Sequence, residues 1–258
     1  MKKVVYVALT AIGLLGIIFI LYTVIGFTPH DYFFIQYPGI KKYVGINVVS
    51  AYATFSFFTY HSLIFFSIWL ILFGIGNMLK ANRLINFLSN SAVISFVCLN
   101  YFITCIIYTV FELLAEKITF GLYALTPHGI YNFVTNIIVH YVLAFLALGV
   151  FLKIKASDPE NNKVKGIKAL KLLILPIIYL AVYYTLVKIT GMYCYKIEWY
   201  PYPIFDLQYF GALFGLNANN QPLILFILII TLLIILFAYC FALILLINYK
   251  KKRSLKSN

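Results

Sequence analysis

Charge is scarce in this sequence: only 10% of its 258 residues are charged, where a soluble domain carries roughly 25%. A water-facing coat cannot be made from so few ionised groups, so most of the surface must face lipid. Acids are scarcer still, at 7 Asp and Glu against 20 Lys and Arg, leaving a net charge of +13. That excess does not point to nucleic acid, because the cations fall in short segments between long uncharged runs, as in loops between membrane spans. Cysteine is also sparse. None of Cys98, Cys105, Cys194 and Cys240 has zinc-ligand or paired redox spacing, and only Cys194 falls outside an apolar run. Those placements argue against an intramolecular disulfide, and Cys98, Cys105 and Cys240 read as small buried hydrophobes.

What is abundant is hydrophobic side chain, at 64% of the chain. A spanning helix takes about 20 mostly apolar residues. Six stretches qualify, near residues 4–26, 50–78, 84–111, 129–152, 170–187 and 223–249. The first is longer than a signal-peptide core and lacks a clear small-residue cleavage site, so it reads as an uncleaved span. The fifth is short, with Lys168, Lys171 and Lys188 placed to snorkel and Pro176 placed to kink it. The sequence thus predicts an all-α polytopic bundle of about six transmembrane helices, forming a single integral membrane domain over residues 1–258.

Direction follows from the cations. With the N-terminus inside, inner segments hold fifteen of the Lys and Arg residues and outer ones five, namely Lys41, Lys42, Lys117, Lys188 and Lys196. Cytoplasmic loops retain basic residues, so both termini are expected in the cytoplasm, in a multi-pass protein of the cell membrane. The Lys250-Lys251-Lys252-Arg253 run serves as a stop signal and can also touch anionic lipid. Membrane lipids are the expected partners, and the sequence names no protein partner. No internal repeat suggests a two-halved transporter.

Polar groups within apolar runs turn towards the bundle interior or water. The second stretch carries Thr59, His61 and Ser62, with Thr59 and Ser62 on one face; the third carries Asn100, Thr104 and Tyr108, one turn apart. The fourth carries Asn132, Asn136 and His140 at the same spacing. At about 1.5 Å per residue, Thr59 lies about 14 Å and His140 about 16 Å below the outer surface. Counted from Leu84 on the inner side, Asn100 rises about 24 Å to a comparable level. The three stripes are therefore expected to line a small cavity in the outer half of the membrane. The plainer reading of any single Thr or Asn is glue between helices. Further along, Trp199-Tyr200-Pro201-Tyr202-Pro203 ahead of Asp206 reads as an interfacial anchor and turn, or as a lid over that cavity.

In order along residues 50–211, Phe57-Phe58-Thr59-Tyr60-His61-Ser62, Thr104 with Tyr108, Asn136-Ile137-Ile138-Val139-His140, Pro176 with Tyr179, and Trp199-Tyr200-Pro201-Tyr202-Pro203 with Asp206 resemble the androgen-induced-gene membrane family, in its bacterial branch. The resemblance implies a compact multispan fold. For animal members it implies a threonine-dependent hydrolase of fatty acid esters of hydroxy fatty acids; the residues of this sequence point to no cofactor. Its nucleophile falls on Thr59 and its histidine on His140. The sequence departs from the bacterial pattern at His61-Ser62-Leu63, where a Gln-Ser-Asn run is common.

The chemistry implied is coherent. A threonine hydroxyl attacks once a base takes its proton, and His140 would be that base. Asn136 would orient the imidazole; Asn100 or Tyr108 would hold the oxyanion. Tyr200, Asp206 and Thr104 complete the expected binding set for a lipid ester or small molecule. Two other classes stand beside this one. One is a non-catalytic lipid- or small-molecule-binding protein, including the substrate-binding subunit of an importer. The other is a zinc hydrolase using His61, His128, His140 and Asp206, whose spacing matches no metal motif, so no metal is expected.

Overall fold

The computed structural model describes residues 3–25, 58–114, 134–156, 166–189, 215–216 and 220–255. Among these the regular structure is entirely helical. The chain divides into two compact units, Met1–Phe151 and Leu152–Asn258.

The first unit opens with α1, Lys3–Ile25, and α2, Phe58–Met78. They pack antiparallel, with Phe19 stacked on Tyr60 at one end and Tyr6 edge-on to Phe73 at the other. Their contact is close because the facing residues are small. A Cβ on Gly13 would sit 2.6 Å from the Ser67 carbonyl oxygen, and one on Gly74 would sit 2.7 Å from that of Tyr6. A Cβ on Gly16 would fall on the Ser67 hydroxyl. In lipid, where no hydrophobic drive joins helices, such small-residue seams let backbones approach and gain dispersion contact.

α2 ends in a tight turn. Ala81 N–H bonds the Gly76 carbonyl at 2.9 Å and Lys80 N–H that of Asn77 at 3.4 Å, while Lys80 takes a φ of +55°. This is a Schellman ending with lysine where glycine is usual. A short helix α3, Asn82–Leu88, follows, and then α4, Ser91–Ile94, capped by the Asn90 side chain accepting from Ala92 N–H at 2.9 Å. α4 runs through a π-helical turn, Ser95–Leu99, into α5, Asn100–Leu114.

The stretch expected as one straight third span over 84–111 is thus broken: Asn82–Leu88 and Ser91–Ile106 meet at 54°. The Ser89-Asn90-Ser91 run supplies the reason, since short polar side chains bond neighbouring backbone and cap a new helix. Trp69 on α2 closes the break, its indole N–H donating to the Leu88 carbonyl at 3.0 Å. Counted from Ser91 instead of Leu84, Asn100 stands only about 14 Å up its helix.

A helix that starts at Val134 passes through a second π-helical turn, Ile138–Val142, and continues as α6, Leu143–Ala156, which begins in the first unit and ends in the second. The second unit holds two helices that pack on each other, α7, Gly166–Ile189, with Pro176 inside it, and α8, Gln221–Leu255.

Three described helices are long and apolar enough to cross a membrane: 3–22, 58–78 and 134–154. The bent pair makes a fourth if it is one span, and 171–186 and 237–249 are shorter apolar stretches. Burial runs opposite to that of a water-soluble protein. Leu15, Ile18, Val142, Phe145 and Phe237 are more than half exposed, whereas Ser62, Ser67, Ser95, Asn100, Thr104 and His140 are buried. Long apolar helices that hide hydroxyls and carboxamides and show leucine and phenylalanine suit a hydrocarbon solvent.

Candidate functional site

α2 and the helix built from α4 and α5 run antiparallel through a series of matched contacts. Phe65 meets Phe96, with ring centroids 5.3 Å apart, and Phe66 meets Tyr101 at 5.2 Å. At the next level Asn100 Nδ2 donates to Ser62 Oγ at 3.2 Å, with both residues fully buried. That bond fixes the register of the two polar stripes. Thr59 lies about 4.5 Å beyond Ser62 along α2 and Thr104 about 6 Å beyond Asn100 along α5, so they reach the same level. Thr59 is 4% exposed and Thr104 2%. The Thr104 hydroxyl donates to the Tyr101 carbonyl at 2.6 Å, which leaves its oxygen still able to accept.

The third wall is the π-helical turn Ile138–Val142, which packs against both α2 and α5. A π turn carries one residue more than an α turn and disturbs the backbone ladder where it enters and leaves. Here the Tyr101 hydroxyl donates to the Val139 carbonyl at 2.8 Å. His140, the next residue, lies flat against Tyr108: ring centroids are 3.7 Å apart and the planes 14° from parallel. Tyr141 stands edge-on to the other partner of that stack, at 5.9 Å and 83° from Tyr108, and its hydroxyl lies 3.3 Å from that of Thr109.

Two buried polar atoms at this site have no hydrogen-bond partner among the described residues, Asn100 Oδ1 and His140 Nδ1. Neither the Thr59 hydroxyl nor the Asn136 carboxamide therefore bonds His140 through Nδ1, and Asn136 does not orient the ring through that atom. Buried polar atoms are nearly always paired with protein or ordered water, so these two orphans on touching helices single the cluster out as a candidate site.

Of the residues expected at the site, Thr59, Asn100, Thr104, Tyr108 and His140 come from helices that touch. Asn136, half-buried, is a turn earlier on the same helix as His140. Tyr200 and Asp206 lie outside the described residues, as do Asn132, His128 and the Trp199–Pro203 run. Among the described residues no group of His, Cys, Asp or Glu could hold a metal ion. Tyr101 is a residue that sequence reasoning missed. Its place beside Asn100 puts it off the polar stripe, and only the tertiary path of the π turn brings the Val139 carbonyl to its hydroxyl. Ser62 was legible as the neighbour of Thr59, but not as the partner of Asn100. No protein-family model, curated protein or solved structure matches this chain.

Proposed function

We propose that this chain is a multi-pass protein of the cell membrane, with about six spans and cytoplasmic termini, that hydrolyses fatty acyl esters within the bilayer. The reading follows the androgen-induced-gene pattern of the sequence. The observation that carries it is the burial of Thr59 and His140 in touching helices, with polar partners arrayed around them. The acyl chain would lie in hydrocarbon and the ester among Ser62, Asn100 and Thr104. Thr59 Oγ1 attacks the ester carbon while His140 accepts its proton, and the alcohol leaves taking that proton. Water then releases the fatty acid from the acyl-threonine. Oxyanion stabilisation falls to the Asn100 carboxamide or a nearby hydroxyl.

Purified protein in nanodiscs, assayed on a chromogenic long-chain acyl ester, is expected to lose about 10²–10⁴ of its rate in Thr59→Ala and in His140→Ala. Thr59→Ser should retain part of it. Equal rates in parent and both variants end the hydrolase reading. For the topology, a reporter fused after residue 122 should face outward and one after residue 160 inward.

A second reading draws on a different observation. The unbonded Asn100 Oδ1 and His140 Nδ1 suit a protein that binds the polar end of a lipid or small molecule without turning it over. Native mass spectrometry would then find a bound molecule that Asn100→Leu releases, with no ester cleaved by the parent.

A further inference from the structure

We infer that Tyr108 is the positioning residue for His140, and that it works through its ring face, not its hydroxyl. This deepens the hydrolase reading and rests on it for its catalytic meaning, though the geometry stands apart from any reaction. A buried histidine is usually set in plane by a hydrogen bond from one ring nitrogen to a carbonyl or carboxylate. His140 has no such bond at Nδ1 among the described residues. What it has is a nearly parallel aromatic ring at 3.7 Å, with both residues at least nine-tenths buried. The backbone behind it is pinned too, by the Tyr101 hydroxyl on the Val139 carbonyl. One tyrosine therefore holds the chain and the other holds the imidazole plane. The stack sets the ring plane without using Nδ1, which has no hydrogen-bond partner among the described residues and can take a substrate proton and return it. The small-residue alternatives at position 108 would let the ring tip, and a misplacement of about 1 Å can cost about 10²-fold in rate.

The variants that separate ring from hydroxyl are Tyr108→Phe and Tyr108→Leu. Two measurements are made on each, in nanodiscs. One follows the ring resonances of isotope-labelled histidine, with the His140 signal identified by its loss in His140→Gln. A stacked ring displaces these resonances upfield; Tyr108→Phe is expected to keep that displacement and Tyr108→Leu to abolish it. The other measurement is turnover of the chromogenic ester. Tyr108→Leu is expected to lower kcat about 10²-fold with little change in KM, and Tyr108→Phe to restore it. An unmoved His140 resonance in Tyr108→Leu overturns the inference. So does a Tyr108→Phe variant as impaired as Tyr108→Leu, which would make the hydroxyl an oxyanion donor. If the parent turns over no ester, the hydrolase reading falls alone, and the resonances still decide whether Tyr108 fixes the ring.

Discussion

Helix α2 faces two neighbours, and the two contacts are built on different terms. Towards α1 it presents Ser67 and Gly74 against Thr10, Gly13 and Gly16, a seam so close that a single added carbon meets backbone. The Thr10 hydroxyl there donates to the Tyr6 carbonyl one turn back at 3.0 Å. Towards α5 and the second π turn it presents Thr59 and Ser62 to a cluster where Asn100 Oδ1 and His140 Nδ1 find no partner among the described residues. A seam that bonds within itself and packs to contact is glue. A cluster that buries acceptors with no partner among the described residues sacrifices stability, which is what the proposed site would require.

The comparison breaks most readily at the seam. Gly74→Leu is expected to cost about 3 kcal/mol or more, because the Tyr6 carbonyl and the Thr10 side chain cannot both move aside. Melting of the purified protein in detergent reads this directly. Gly149→Ala is the control: nothing lies within 4 Å of its added carbon, so it should match or slightly exceed the parent. Equal losses in both variants would show that the seam is not close-packed.

The next effect belongs to the broken helix that carries Asn100. Trp69→Phe keeps an aromatic ring against Phe73, whose centroid lies 4.6 Å away, but removes the indole N–H from the Leu88 carbonyl. Leaving that buried acceptor bare should cost about 1–3 kcal/mol. Backbone hydrogen exchange should rise chiefly over α3 and α4; an unchanged exchange pattern would mean that Trp69 does not hold the break.

These two regions were not equally legible beforehand. Apolar runs over 4–26 and 50–78 give away the helices Lys3–Ile25 and Phe58–Met78, because nothing within those helices interrupts a hydrogen-bonded ladder and no charge resists burial. The polar stripe of Asn100, Thr104 and Tyr108 was legible too, since α-helical spacing puts them on one face. The break at Ser89-Asn90 was harder, for the capping residues lie within a run whose hydropathy alone reads as one span. Both π turns were illegible. Their residues, Ser95–Leu99 and Ile138–Val142, have no composition that separates them from α-helix, and only packing against neighbours selects the wider turn. The stacking of His140 on Tyr108 was hidden for the same reason, since it depends on how the second π turn packs against α5.

The smallest expected change is also the sharpest test of the comparison. In Asn100→Leu a carboxamide is replaced by an apolar group of similar size, so one weak bond to Ser62 is lost and one unbonded acceptor is removed with it. If the cluster were interhelical glue, the loss would be about 0.6 kcal/mol, reaching about 1.7 at most. If it is a site, the two terms offset one another, and the melting temperature should hold or rise slightly while ligand retention or ester turnover disappears. Ser62→Ala alone should behave differently, since it strips the carboxamide of its partner and leaves both ends of Asn100 unbonded. A stable Asn100→Leu with an unstable Ser62→Ala would mean that the carboxamide is kept in the bundle for what it binds. An unstable Asn100→Leu with undiminished turnover would make the cluster a second seam.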